Sequence, residues 1–103
     1  MDGRFVNEAV TERLGRNVLR ARRRVGLSQE ELGALASLHR TAVGMIESGR
    51  RLPRVDTLIK LASALDAKFE ELVAGVEWIV PAPTRSGSFA VEASGATGGT
   101  NAR

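Results

Sequence analysis

Residues 27–49 read LSQEELGALASLHRTAVGMIESG, from Leu27 to Gly49, and the fold turns on how they are parsed. Ser28 followed by Glu31 is the pattern of a capping box. Leu27, just before the cap, can pack on Leu32 as a hydrophobic staple. Together they start a short helix whose expected inner face is Leu32, Leu35 and Ala36. Gly33 inside a helix costs about 1 kcal/mol relative to Ala, so it reads as a place where another helix backbone crosses closely. Ser37-Leu38-His39 forms a turn, with Leu38 plugging the core and His39 capping or beginning the next helix. That helix runs to about Ser48. Ala42, Val43 and Ile46 face inward, while Arg40, Thr41, Gly44, Met45 and Ser48 face outward. Gly49 ends it, since glycine tolerates the left-handed cap.

The flanking sequence extends the pattern. Residues 1–6 are expected to be a mobile lead. A first helix is then expected from near Asn7 to Val25, with Val10, Leu14, Val18, Ala21 and Val25 on one apolar stripe. Arg13, Arg16, Arg20 and Arg23 share another face, flanked by Arg22 and Arg24, and are read as solubilising or as reaching phosphates or a buried acid. After an arginine-rich loop (Arg50, Arg51, Arg54), Val55, Leu58, Ile59, Ala62 and Leu65 recur at helical spacing. A short fifth helix over about Phe69–Ala74 would add Phe69, Leu72 and Val73 to the core. Val76–Val80 is apolar and β-branched before Pro81 and Pro83, and Ser88–Glu92 suits a short strand. From Ser94 the Gly/Thr/Ala-rich tail has almost nothing to bury and is expected to be disordered.

Composition narrows the class. The 103 residues suit one small domain plus a tail, and with 43% hydrophobic but only 4% aromatic residues the core must be aliphatic. The net charge is +3, unevenly placed: residues 10–60 hold 11 Lys+Arg against 5 Asp+Glu. A basic middle suggests a polyanionic partner, nucleic acid first. The absence of Cys excludes disulfides and thiolate metal sites. No signal-peptide pattern and no apolar run near the roughly 20 residues of a membrane span is present, so a cytoplasmic protein without membrane contact is expected. No cofactor or metal is expected, His39 being the single histidine. One histidine, no cysteine and no phosphate-cradling glycine motif argue against an enzyme.

The segment SQEELGALASLHRTAVGMIESGRRLPRVDTLIKLASAL resembles the lambda-repressor/Cro-like helix-turn-helix family, also called xenobiotic-response-element-like regulators. It is similar in particular to phage repressors and restriction-modification controller proteins. The resemblance spans roughly Leu14 to Val76. It implies an all-α, five-helix lambda-repressor-like DNA-binding domain whose third helix enters the major groove, here with a short C-terminal extension holding one or two β-strands. It further implies that Gln29 anchors a phosphate and that Glu47 pairs with Arg22 of the first helix. The sequence departs from the family at Ser37, where Gly is usual, at Asp66-Ala67-Lys68 before the fifth helix, and on the third helix, which lacks Gln and Asn.

Physical chemistry gives the outward face of that helix a role of its own. Base edges in the major groove need donors, acceptors and apolar contacts at the tip of an inserted helix. Arg40 offers a fork for guanine, and Thr41 a hydroxyl and a methyl. Met45 adds apolar contact, Gly44 leaves room, and His39 can reach a base or phosphate. Ser28, Gln29, Arg50, Arg51 and Arg54 are the phosphate candidates. Such contacts position a protein without reading sequence. Trp78, Ile79, Val80, Phe89 and Val91 are expected to be a dimer contact formed by strand pairing, or else to fold back on the protomer's own core. The expected organisation is a lead (1–6), a DNA-binding domain (7–76), a dimerisation segment (77–93) and a tail (94–103). The function expected is a transcriptional regulator binding double-stranded DNA as a homodimer. The alternative is an antitoxin or other interaction module that holds a partner protein through its C-terminal segment.

Overall fold

The computed structural model describes residues 3–93, with side chains from residue 8 onward. The expected tail, 94–103, lies outside the described residues, as do residues 1 and 2. Five helices precede a hairpin: α1 (Gly3–Val25), α2 (Gln29–Ala36), α3 (Arg40–Glu47), α4 (Val55–Leu65), α5 (Phe69–Leu72), β1 (Val76–Ile79) and β2 (Ser88–Val91). Helix α1 begins four residues before the expected start, so residues 3–6, expected as part of the lead, are helical. Helix α5 is a single turn and stops at Leu72, two residues short of Ala74.

The capping box of α2 is complete. Ser28 Oγ accepts from Glu31 N at 3.0 Å, and Ser28 N donates to Glu31 Oε1 at 2.8 Å. Ser37 closes α2 in the left-handed region at φ 56°, and Asp66 closes α4 at φ 54°. A non-glycine residue pays about 1–2 kcal/mol for that conformation, partly offset because glycine loses more chain entropy on folding. Ser37→Gly is therefore expected to stabilise the domain by about 0.5 kcal/mol, read as a higher urea midpoint. A lower midpoint would mean that the Ser37 side chain holds the turn.

The core is aliphatic: Val18, Ala21, Leu32, Ala36, Val43, Ile46, Leu58, Leu61, Ala62, Leu65 and Leu72 form one buried cluster, with Leu27, Leu38 and Val73 packed against it. Five expected core positions are exposed instead: Val25, Leu35, Val55, Ile59 and Phe69. The buried face of α4 is Leu58, Leu61, Ala62 and Leu65, so Val55 and Ile59 fall on its flank. Leu35 lies to one side of the Leu32–Ala36 line that α2 buries. Phe69 opens a one-turn helix whose buried residue is Leu72.

Two glycines mark close approaches. A Cβ on Gly33 would stand 2.6 Å from Leu38 O, so the neighbour is the turn's own carbonyl rather than a crossing helix. The crossing is at Gly15, where a Cβ would stand 2.1 Å from Ile46 O. There α1 and α3 touch backbone to backbone.

The C-terminal extension pairs with itself. Strands β1 and β2 are antiparallel, with Val76 opposite Val91 and Trp78 opposite Phe89. Reciprocal backbone bonds between Ala82 and Arg85 close the turn. The hairpin is tied to α1 by a polar network around the buried Arg13 and Asn17. Arg13 donates to Asn17 Oδ1 at 3.2 Å, to Glu92 O at 2.8 Å and to Glu92 Oε1 at 3.3 Å. Asn17 Nδ2 donates to Leu72 O and Ala74 O. Buried donors and acceptors that find such partners avoid a desolvation cost of roughly 1–3 kcal/mol each.

Candidate nucleic-acid interface

Helix α3 is held from behind. The Arg22 guanidinium grips Glu47 with two bonds, Nε to Oε2 at 2.6 Å and Nη2 to Oε1 at 2.9 Å, and its Nη1 donates to Leu27 O at 2.8 Å. One side chain thus joins α1, the end of α3 and the entrance to α2. Both side chains are largely shielded, at 13% and 4% exposure. The hydrogen bonds to Glu47 raise the pKa of Arg22, aided by Coulombic attraction and opposed by burial. Because the folded value is raised, this contribution to stability is fully present below the ordinary arginine pKa and is lost only above it.

The other face of α3 is open. His39 caps the helix, its Nδ1 accepting from Thr41 N at 3.0 Å. His39, Arg40 and Thr41 are exposed, and Gly44 and Met45 are half-buried. Gln29 Nε2 donates to Glu47 Oε1 at 3.0 Å, and its amide lies 3.5 Å from where a Gly44 Cβ would be. Gln29 is thus partly committed to bracing α3. Ser28 is committed to its cap.

The arginines after α3 are differently placed. Met45 O accepts from Arg50 N and Arg51 N, wrapping the chain around the helix end. Arg51 Nη2 rests 3.5 Å from Met45 Sδ. Arg54 meets Asp56 at 3.3 Å, but both are well exposed, and such pairs contribute about 0–1 kcal/mol. No group of three or more potential metal-ligating side chains occurs among the described residues. No helix among them is long and apolar enough to cross a membrane.

The hairpin carries the exposed apolar side chains of the extension. Trp78 and Phe89 meet edge to face, with centroids 5.1 Å apart at 72°, and remain 50% and 40% exposed. Val80 is 62% exposed. Ile79 alternates to the opposite face of β1 from Trp78, and both Ile79 and Val91 are half-buried. Ile79 therefore lies off the face that Trp78 and Phe89 present, and Val91 shares that face by register. A second apolar strip, Leu52, Val55 and Ile59, is exposed at the start of α4.

Sequence reasoning missed Arg13, Asn17 and Gly15. By spacing Arg13 shares a face with Arg16, Arg20 and Arg23, yet it is buried. The available signal was Asn17, a polar residue beside the apolar line of Leu14, Val18 and Ala21.

The HTH_3 helix-turn-helix family model matches residues 18–72. The chain belongs to the helix-turn-helix family. Within it, the chain is 43% identical over 60 residues to an uncharacterized HTH-type transcriptional regulator, y4dJ, of Sinorhizobium fredii, covering 58% of this chain and 78% of that one. It is 39% identical over 64 residues to the control protein C.SmaI of Serratia marcescens, covering 62% and 76%. The crystal structure of the restriction-modification controller protein C.AhdI from Aeromonas hydrophila superposes with a TM-score of 0.59 at 39% identity, covering 60% of this chain and 94% of that one. The lambda-repressor/Cro-like character, the helical fold and the regulator class are therefore established. These relatives are regulators and controller proteins rather than enzymes.

Proposed function

We propose that the chain is a sequence-specific transcriptional regulator that binds double-stranded DNA in the cytoplasm as a homodimer on an inverted repeat. The observation that carries this reading is the asymmetry of α3. Its inner side is fixed by the Arg22–Glu47 pair, while Arg40, on its outer side, is exposed and has no hydrogen-bond or ion-pair partner among the described residues. In this reading Arg40 and Thr41 contact bases, with Met45, His39 and Gly44 beside them. Arg50, Arg51, Arg54, Gln29 and Ser28 contact phosphates. Residues 7–76 form the DNA-binding unit and 77–93 the dimerisation segment, with Trp78, Val80 and Phe89 as its apolar face. Two recognition helices then sit about 34 Å apart. Similarity to regulators and controller proteins favours this over a toxin-neutralising module.

Selection from a random duplex pool tests it. Two half-sites in inverted orientation are expected, whereas a single unrepeated motif would remove the dimer. Arg40→Ala is expected to weaken the selected site by about 1–3 kcal/mol and to relax preference at one base pair. A uniform loss over all sequences would make Arg40 a phosphate contact instead.

A further inference from the structure

Helix α1 is gripped on opposite flanks. Gly15 and Arg22 lie about two turns apart and share the flank that meets α3. Gly15 lies against Ile46 O, and Arg22 holds Glu47. Arg13 and Asn17 share another flank, and Arg13 is turned about 200° around the axis from Gly15. That flank meets the C-terminal hairpin, with β2 as a strand packed on α1. Helix α1 therefore stands between the recognition helix and the hairpin, in contact with both.

Without Arg13 and Asn17 the hairpin would hang from a hinge. The chain enters β1 through Gly75, at φ 86°, and glycine leaves a backbone free to turn. Both ends of the hairpin are pinned at that point. Asn17 Nδ2 donates to Ala74 O at 3.0 Å, just before the glycine. Arg13 Nη1 donates to Glu92 O at 2.8 Å, just after β2. Glu92 N donates to Gly75 O at 2.7 Å and joins the two held ends. Arg13 Nε donates to Asn17 Oδ1, so one guanidinium links both anchors. The same guanidinium fills the space that a Cβ on Gly75 would need. Arg13 and Asn17 are buried, where water competes little for such bonds. Trp78 and Phe89, further along the hairpin, stay exposed.

We propose that Arg13 is a positioning residue that locks the hairpin to α1 at Gly75, and so fixes the half-site spacing that the dimer accepts. This rests on the regulator reading above, with the hairpin as the dimer contact. The path from one α3 to the other then runs through α1 and the hairpin of each protomer. By twofold symmetry the lock occurs twice on that path, so play at Gly75 counts twice. One base pair inserted between half-sites moves them apart by about 3.4 Å and turns them by about 34°. A locked hairpin cannot follow, so the DNA must deform or contacts must break. A hinged hairpin can follow.

The test measures the affinity of the full chain for duplexes carrying the selected inverted repeat, at the selected spacing and with base pairs added or removed between the half-sites. The wild-type chain is expected to lose about tenfold or more per base pair. Arg13→Met keeps the length of the side chain and removes the fork. It is expected to stay dimeric in analytical ultracentrifugation, to keep the base preference within each half-site, and to lose only about threefold per base pair. Leu61→Val, a core change in α4, lowers stability and is expected to keep the wild-type spacing profile. An Arg13→Met profile as steep as the wild type overturns the proposal, as does a Leu61→Val profile flattened to the same degree. A monomeric Arg13→Met protein overturns it too, by placing the effect in dimer formation. If Arg13→Met does not fold, Arg13→Lys takes its place in the series. It keeps the charge but cannot hold Asn17 and Glu92 together, and its profile is expected to lie between the other two. A wild-type chain that enriches no inverted repeat fails the dimeric-regulator reading itself, and the lock with it, a result distinct from any of these.

Discussion

Glu47→Gln is expected to destabilise the domain by about 3 kcal/mol and to weaken DNA binding in parallel. The neutral amide cannot accept both Arg22 bonds, so a charge that is 13% exposed loses its counter-charge while remaining inside. The loss exceeds what the intact pair contributes, because removing one partner leaves the desolvation of the other uncompensated. Arg22→Met/Glu47→Leu should accordingly recover most of the stability, since apolar side chains of similar size satisfy the same volume. Recovery of stability without recovery of binding would separate bracing from recognition, because Gln29 also loses its acceptor on Glu47. Urea midpoints read the first effect, and duplex titrations read the second. A Glu47→Gln protein with an unchanged midpoint would show that the pair holds nothing.

Gly15→Ala should have an effect of similar size, about 3 kcal/mol, from a single methyl group. The added carbon would lie 2.1 Å from Ile46 O and 3.0 Å from Glu47 O. Both obstacles are main-chain atoms of α3, which cannot swing aside as a side chain could. Helix α1 must move away, and the Arg22–Glu47 grip and the packing of Val18 and Ile46 move with it. Gly44→Ala is the contrasting case. The three atoms nearest its Cβ would all belong to the Gln29 side chain, the closest at 3.5 Å, and alanine gains about 1 kcal/mol of helix propensity. Thermal unfolding of both variants checks the pair, and equal midpoints would refute the contact at Gly15.

Much of the fold is legible because local chemistry and global packing agree. Ser28 and Glu31 start α2, Ser37 and Gly49 close α2 and α3, and the α4 limits Val55 and Leu65 follow from hydrophobic spacing. What stayed hidden depends on distant partners. Period alone does not say which side of α4 meets α2, so Val55 and Ile59 read as core although they are exposed. Apart from Asn17, nothing local tells Arg13 from Arg20. One finds Glu92, 79 residues away, and the other faces solvent. Family resemblance places Arg22 and Glu47 together, whereas their own spacing of 25 residues carries no such signal.

The cap of α3 has a chemical consequence for the face it opens. Because His39 Nδ1 accepts the Thr41 N–H, that nitrogen carries no hydrogen while the cap holds. The neutral ring is then the Nε2–H tautomer, and it turns a donor outward. In a major groove such a ring pairs with the N7 and O6 atoms of guanine, N7 of adenine, O4 of thymine or a phosphate oxygen. It has nothing to offer the amino groups of cytosine and adenine. The same bond that starts the helix therefore also sets the polarity of its first side chain.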